Sequence, residues 1–180
     1  KMRQMRLYGM QTAFKAFVEV PPPAAFTNDE MTEYLVQSEW DDRKHRSVQR
    51  NIKTARFRYK ADIAGLDYNP DRGLDKNQIN RLIVCDFIKA GQDVFITGST
   101  GTGKSYIASA IGYQACLLGY KVFYASTAKL LSLLKMAKAD GSHISELSRI
   151  ERQDLLILDD FGIQSFDASG RAMLMDIVED

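Results

Sequence analysis

Apolar residues in the first third of the chain recur every three or four positions, which is the spacing of one helix face. The first such stretch contains Leu7, Met10, Phe14, Phe17 and Val18, and three prolines at 21–23 end it because proline cannot continue a helix. The second begins with a capping-box pattern, Thr27 followed by Glu30. Its apolar stripe continues through Val48, Ile52, Ala55 and Tyr59. The pattern therefore predicts two helices, the second one long and packed through that stripe.

A different pattern follows Asn69-Pro70 and Gly73, which mark a loop. Asp75 is placed to cap a helix that carries Ile79, Leu82, Ile83 and Phe87 and ends at Gly91. Three apolar runs then predict buried strands at 94–97, 122–125 and 155–158. Helices are predicted between them, at 104–118 and from about Thr127 and Ser142. Alternating strands and helices indicate an α/β fold with a parallel sheet, so we expect a small all-helical domain at 1–68 and an α/β domain at 69–180.

Composition excludes several classes of protein. The 180 residues are 45% hydrophobic and 26% charged, an ordinary globular mixture that excludes wholesale disorder. No apolar stretch approaches 18 residues, so we expect no membrane span, and the first 17 residues lack the apolar run of a signal peptide. Cys85 and Cys116 have no partner spacing, which favours a reduced, cytoplasmic protein. The two histidines lie in no metal-binding motif.

Charge is distributed unevenly along the chain. The net charge of +1 combines +4 in residues 1–90 with −3 in residues 91–180. Residues 43–60 contain eight Lys and Arg and no carboxylate. Such a run is either a solvated helix face or a surface for an anionic partner, and both interpretations remain open at this point.

Residues 98–105 match the phosphate-binding pattern G-x-x-x-x-G-K-[ST] at every fixed position. The glycines let backbone N–H groups wrap a phosphate at a helix N-terminus, where the helix dipole also favours an anion. The lysine of this pattern reaches the β- and γ-phosphates, and its Ser hydroxyl ligates Mg²⁺. The nucleotide-binding residues predicted from the pattern are Gly98, Ser99, Thr100, Gly101, Thr102, Gly103, Lys104, Ser105 and Tyr106.

Two carboxylates follow the predicted third strand. Asp159 would lie at the carboxyl end of that strand, where ligands of open α/β sheets bind and where it could hold Mg²⁺ through water. Asp160 would then orient or deprotonate an attacking water. Together with residues 98–105 this pair predicts nucleoside triphosphate hydrolysis with Lys104, Asp159 and Asp160 as catalytic residues. A small-molecule kinase would need an arginine-bearing lid and an acceptor pocket after the third strand, and the sequence shows neither.

Four segments together resemble an IstB-type protein: the opening at 5–10, the linker at 68–75, residues 98–105, and residues 155–162. Such proteins are AAA+ ATPases that assist transposases and are related to the DnaC-type bacterial helicase loaders. The resemblance implies that the chain binds ATP, assembles as an oligomer (helix or ring) on duplex DNA, and recruits a transposase. It also implies that Lys104 is the Walker A lysine and Asp159 the Walker B aspartate. Asp160 stands where many AAA+ proteins have a catalytic glutamate.

Two further expectations follow from the resemblance, and a third, on the adenine base, is made from the linker alone. The family continues past Asp180, and the strand between the first and third strands comes from that part, so we expect residues 1–180 alone to hydrolyse ATP weakly or not at all. Leu74 and Asp75 are a plausible lining for the adenine base. The basic run becomes a candidate surface for duplex DNA, comprising Arg43, Lys44, Arg46, Arg50 and Lys53.

Two other functions remain open. A DnaC-like loader would deliver a replicative helicase and prefer single-stranded DNA. A nucleotide-gated scaffold would use ATP only to stabilise an oligomer on DNA, with incidental hydrolysis. Strand preference separates the first from a transposition helper, and the effect of Asp160→Ala separates the second.

Overall fold

The computed structural model of the chain describes residues 1–20, 27–69, 73–163 and 165–178. The chain divides into two compact units, Lys1–Arg50 and Asn51–Asp180. The boundary expected at 68/69 falls inside the second unit, and the functional division into domains 1–68 and 69–180 stays a prediction. The predicted helix stop at 21–23 and the loop residue Pro70 lie outside the described residues.

The first unit contains helix α1 (Tyr8–Glu19) and most of helix α2 (Asn28–Ala55). The capping box predicted at the start of α2 is confirmed. The Thr27 backbone N–H donates to Glu30 Oε2 at 2.7 Å, and the Glu30 N–H donates to Thr27 Oγ1 at 3.2 Å. This reciprocal pair satisfies two N–H groups that a helix start leaves without partners.

A buried glutamate joins the two helices of the first unit. Oε2 of Glu39, on α2, accepts from the backbone N–H groups of Gly9 (2.9 Å) and Met10 (3.2 Å) in the first turn of α1. The carboxylate thereby places a negative charge at the positive end of the α1 dipole. Gly9 also packs closely against α2, since a Cβ added there would lie 2.7 Å from Cβ of Asp42.

The second unit is built around a parallel sheet, which confirms the α/β class. Strands β1 (Val122–Ser126) and β2 (Leu155–Asp159) pair in parallel, with Ser126 opposite Asp159 at the carboxyl edge. The helices of this unit are α3 (Lys76–Leu82), α4 (Asp86–Lys89), α5 (Lys104–Leu117), α6 (Thr127–Asp140), α7 (His143–Glu151) and α8 (Ala168–Val178), with a 3₁₀ turn at Ile63–Gly65. None of the helices that the structure describes is both long and apolar enough to cross a membrane.

Alternate residues of β2 face two separate apolar clusters. Leu155 and Ile157 pack with Ala55, Cys85, Ala115, Cys116 and Val122. Leu156 and Leu158 pack with Leu130, Leu131, Leu134, Ile150 and Met173. Because side chains alternate between the faces of a strand, this pattern means that helices cover both faces of the sheet.

The prediction of a strand at 94–97 is wrong for the described structure. This segment has no regular secondary structure, and Val94 and Phe95 are 38% and 81% exposed. A strand requires a neighbour to pair with, and in the part of the chain that the structure describes only β1 and β2 pair.

Two predicted helices are shorter than expected. Asp75 does cap α3, accepting from the Asn77 N–H at 2.7 Å, but the helix predicted up to Gly91 is interrupted at Cys85, which has a φ of +62°. Helix α2 ends at Ala55 and Arg56 has a φ of +58°, so Tyr59 leaves the apolar stripe and is 43% exposed. A left-handed residue breaks the helical hydrogen-bond pattern, and spacing alone does not reveal it.

Candidate nucleotide-binding site

The loop at residues 98–105 runs into the start of α5. Gly101 and Gly103 have φ values of +83° and +89°, in the left-handed region that favours glycine. The first intrahelical bond of α5 runs from the Ile107 N–H to the Gly103 carbonyl at 3.0 Å. The N–H groups of residues 104–106 therefore have no acceptor within the helix. A helix start with such N–H groups is suited to binding a phosphate.

Lys104 is held by its own loop. Its Nζ donates to the carbonyls of Gly98 (2.9 Å) and Ser99 (2.7 Å), and Thr102 Oγ1 also donates to Ser99, at 2.8 Å. Thr100 lies at the exposed turn between them. These bonds keep the ammonium group within the loop, where a phosphate bound by the loop amides would meet it.

The predicted meeting of the loop with the carboxyl end of β2 is present in the structure. Ser105 Oγ donates to Asp159 Oδ1 at 2.8 Å, and the hydroxyl of Tyr124 donates to Oδ2 of the same carboxylate. Thr127 Oγ1 donates to the backbone carbonyl of Asp159 at 2.9 Å. Hydrogen bonds from α5, β1 and α6 thus fix both the main chain and the carboxylate of Asp159.

These bonds favour the charged form of the carboxylate. Burial is the largest influence and raises the pKa of Asp159, but the hydrogen bonds from Tyr124 and Ser105 help lower it below its ordinary value. Burial and the bond to Asp159 raise the pKa of Tyr124 well above its ordinary range. At neutral pH the pair is therefore an anionic acceptor and a neutral donor.

Asp160 lies beside Asp159 in a less common backbone conformation. Its φ is +56°, and its side chain is 41% exposed, whereas that of Asp159 is 11% exposed. Nη1 of Arg58 lies 3.3 Å from Asp159 Oδ2 and 3.4 Å from Asp160 Oδ2. The exposed carboxylate of Asp160 suits a role in handling water, while the mostly buried carboxylate of Asp159 is held in a fixed position by its hydrogen bonds.

Sequence reasoning missed Arg58 and Tyr124 as parts of this site. Arg58 was one of eight basic residues in 43–60, with no signal that set it apart. Tyr124 was one of the apolar residues of a predicted strand. Its hydroxyl was the available signal, because a buried tyrosine usually finds a hydrogen-bond partner.

The donor set fits Mg²⁺. A hydroxyl oxygen and a carboxylate oxygen 2.8 Å apart are hard ligands of the kind that this ion prefers. No group of three or more His, Cys, Asp or Glu residues suited to a metal occurs among the residues that the structure describes. Mg²⁺ is commonly held by one or two protein ligands plus phosphate and water, so with a nucleotide bound Ser105 would ligate the ion and Asp159 would hold it through water.

The residues predicted to line the adenine have structural roles in the second unit. Leu74 packs in a cluster with Leu66, Ile79, Ile107 and Ile111. Asp75 is exposed and caps α3. Tyr106, predicted to bind the nucleotide, is partly buried and packs against the same cluster. Adenine binding near Leu74 and Asp75 stays a prediction.

The five candidate DNA-binding residues are all exposed on α2. Arg43, Arg46, Arg50 and Lys53 share one face because residues three, seven and ten positions apart align on a helix, and Lys44 lies about 100° away. Arg43 pairs with Glu39 at 2.6 Å, and Arg46 pairs with Asp42 at 2.7 Å. Arg50 instead donates to the hydroxyl of Ser47, at 3.3 Å. Two of the five positive charges are thus partly neutralised.

Comparisons with known proteins relate the chain to ATP-binding proteins of insertion sequences. A family model described as IstB-like ATP binding protein matches residues 1–180. The insertion sequence IS1162 putative ATP-binding protein of Pseudomonas fluorescens is 33% identical over 181 residues, covering 100% of this chain and 78% of that protein. The putative insertion sequence ATP-binding protein y4pL of Sinorhizobium fredii is 32% identical, covering 100% of this chain and 74% of that protein. A third, the insertion sequence IS5376 putative ATP-binding protein of Geobacillus stearothermophilus, is 24% identical over 97% of this chain and 70% of its own length.

Proposed function

Because this chain belongs to the family of IstB-like ATP binding proteins, we propose that it binds and hydrolyses Mg²⁺·ATP and, with ATP bound, acts on duplex DNA as the helper of a transposase. The observation that carries the nucleotide part is the 2.8 Å hydrogen bond between Ser105 and Asp159. It brings the two motifs to one point, as an ATPase requires. The names of the relatives, which are putative ATP-binding proteins of insertion sequences, support the link to transposition.

Each site residue has a distinct role in the proposed reaction. The backbone N–H groups at the start of α5 and the ammonium of Lys104 bind the phosphates and stabilise the charge that develops during transfer. Ser105 and Asp159 would hold Mg²⁺, which neutralises phosphate charge when it is bound. Asp160, exposed and next to Asp159, orients the attacking water or accepts its proton.

The DNA part of the proposal rests on the basic face of α2, defined here as Arg43, Arg46, Arg50 and Lys53. A face of this kind contacts phosphates without reading bases, which suits a protein that prepares target DNA of varied sequence. Oligomerisation on DNA and recruitment of the transposase follow from the family resemblance and complete the proposal. We expect a cytoplasmic protein.

The proposal is tested by measuring ATP hydrolysis in the full-length protein with no DNA, with duplex DNA and with single-stranded DNA of equal length. We expect hydrolysis that requires Mg²⁺, is lost in Lys104→Ala and is stimulated by duplex. Stimulation by single strands alone would favour the helicase loader. Hydrolysis that persists unchanged in Lys104→Ala would contradict the assignment of the site.

A replacement at Asp160 tests the remaining alternative. Asp160→Asn should bind ATP and DNA but fail to release DNA after ATP is added. A scaffold with incidental hydrolysis would instead keep its full activity in transposition when Asp160 is replaced.

A further inference from the structure

Arg58 contacts both carboxylates at the end of β2. Its Nη1 atom lies 3.3 Å from Oδ2 of Asp159 and 3.4 Å from Oδ2 of Asp160. A single nitrogen therefore contacts both carboxylates. Half of the Arg58 side chain is exposed, so this contact is open to solvent and to exchange.

The backbone that carries Arg58 is held on both sides. The ring of Phe57 packs in the cluster that contains Ile157 and lies 6.2 Å from the ring of Tyr124. The ring of Tyr59 lies 6.3 Å from that of Tyr106, in the first turn of α5. The guanidinium of Arg58 itself lies over the Tyr59 ring at 5.6 Å. Because Phe57 is packed in the core and Tyr59 contacts Tyr106, we expect a change at this site to involve the Arg58 side chain rather than its main chain.

In the proposed function one of these two carboxylates, that of Asp159, also holds Mg²⁺. A guanidinium and a divalent cation repel each other and compete for the same carboxylate oxygens. We infer that Arg58 is an internal counter-ion of Asp159 and Asp160 that competes with Mg²⁺ for Asp159, and that it is released from both carboxylates when Mg²⁺·nucleotide binds. This inference rests on the proposed function, since it assumes that Mg²⁺ is held at Ser105 and Asp159.

Removal of Arg58 has opposite expected effects if it competes with Mg²⁺ and if it binds the phosphates of the nucleotide. If Arg58 bound the nucleotide, its removal would weaken nucleotide binding whether or not Mg²⁺ was present. If Arg58 competes with Mg²⁺, its removal lowers the Mg²⁺ concentration that tight binding needs and leaves Mg²⁺-free binding unchanged. The direction of the effect therefore distinguishes the two roles.

The experiment measures binding of a fluorescent ADP to the full-length protein as the concentration of free Mg²⁺ is varied. The variants are Arg58→Ala, Arg58→Gln, which keeps most of the side-chain length, and Arg58→Lys, which keeps the charge. Lys60→Ala is the matched control, because it removes an equal charge from an exposed side chain two residues away. Using ADP separates the readout from hydrolysis.

We expect half-maximal binding of ADP by Arg58→Ala and Arg58→Gln at a Mg²⁺ concentration about two- to fivefold lower than in the wild type, the size typical of a half-exposed ion pair. Arg58→Lys and Lys60→Ala should stay near the wild-type value. An unchanged or higher Mg²⁺ requirement in both neutral variants would overturn the inference, as would weaker binding without Mg²⁺. Failure of the wild type to bind ADP, or undiminished binding by Lys104→Ala, would instead overturn the proposed function itself.

Discussion

The hydroxyl of Ser105 donates a 2.8 Å hydrogen bond to Oδ1 of Asp159, joining the first turn of α5 to the last residue of β2 across 54 positions of sequence. The two residues come from separate motifs, a phosphate-binding loop and a carboxylate that follows a strand. Their contact places a phosphate-binding helix start next to a fixed carboxylate. This relationship underlies the predictions on nucleotide chemistry.

Tyr124→Phe tests the support of Asp159 from β1. The buried hydroxyl donates to Asp159, so its loss should lower the free energy of unfolding by about 1 kcal/mol at pH 7. The bond lowers the pKa of Asp159 in the folded state. Its contribution to stability is therefore fully present when the pH is above 3.8, the ordinary pKa of the carboxyl group, and is lost as the pH falls below 3.8. Urea unfolding should therefore show that Tyr124→Phe lowers the free energy of unfolding less at pH 3 than at pH 7. An equal deficit at both pH values would show that the bond does not favour the charged carboxylate.

Replacements at Asp160 separate chemistry from backbone conformation. Asn tolerates the left-handed φ of +56°, so Asp160→Asn should fold normally and lose about 100-fold or more in ATP hydrolysis while still binding ATP. Asp160→Ala should lose the same activity and also about 1 kcal/mol of stability, which Asp160→Gly should not lose. Hydrolysis by Asp160→Asn near the wild-type rate would remove Asp160 from the mechanism.

Gly9→Ala tests the close packing of α1 against α2. The added Cβ would lie 2.7 Å from Cβ of Asp42, which requires the helices to move apart and strains the bonds to Glu39. We expect a loss of about 1–3 kcal/mol, the usual cost of overpacking, seen as faster hydrogen exchange in α1. Lys15→Ala, at an exposed position of the same helix, is the control and should leave exchange unchanged. Equal exchange in both variants would contradict the packing described.

Ion pairs within α2 predict which basic residues contribute most to DNA binding. Arg46 is paired with Asp42, whereas Arg50 contacts only an uncharged hydroxyl among its described partners. Arg50→Ala should therefore reduce the salt dependence of duplex binding by nearly the full value of one phosphate contact, about 0.9 in the log–log slope, and Arg46→Ala by less. The triple replacement of Arg46, Arg50 and Lys53 should weaken binding most. An unaltered slope in the triple variant would show that the basic face of α2 is only solvated or contacts a protein.

Local signals in the sequence predicted much of the fold and of the site. The capping pattern predicted the Thr27–Glu30 box. Helix periodicity predicted α5, and apolar runs predicted β1 and β2, all at nearly their observed bounds. The motif at 98–105 and the carboxylate that follows a strand predicted that Ser105 and Asp159 lie close together, and they are hydrogen-bonded. Each of these depends on residues close together in sequence or on the shared carboxyl edge of parallel strands.

The features that were missed depend on contacts between distant residues. The strand predicted at 94–97 has a suitable apolar run, but it lacks a paired neighbour in the part of the chain described. Arg58 contacts Asp159 across 101 positions, and Glu39 contacts Gly9 across 30. Side-chain chemistry allows many such pairings, and only the folded chain selects among them.

Electron microscopy of the full-length protein on duplex DNA is the most direct test of the proposed function, because it reports ATP binding, DNA binding and assembly in one measurement. The sample is compared with ATP and with ADP, on duplex and on single-stranded DNA of equal length, and in Lys104→Ala. We expect ordered oligomers on duplex with ATP that are absent with ADP and absent in Lys104→Ala. Assemblies that form equally well with ADP or in Lys104→Ala, or that form only on single strands, would contradict the proposal.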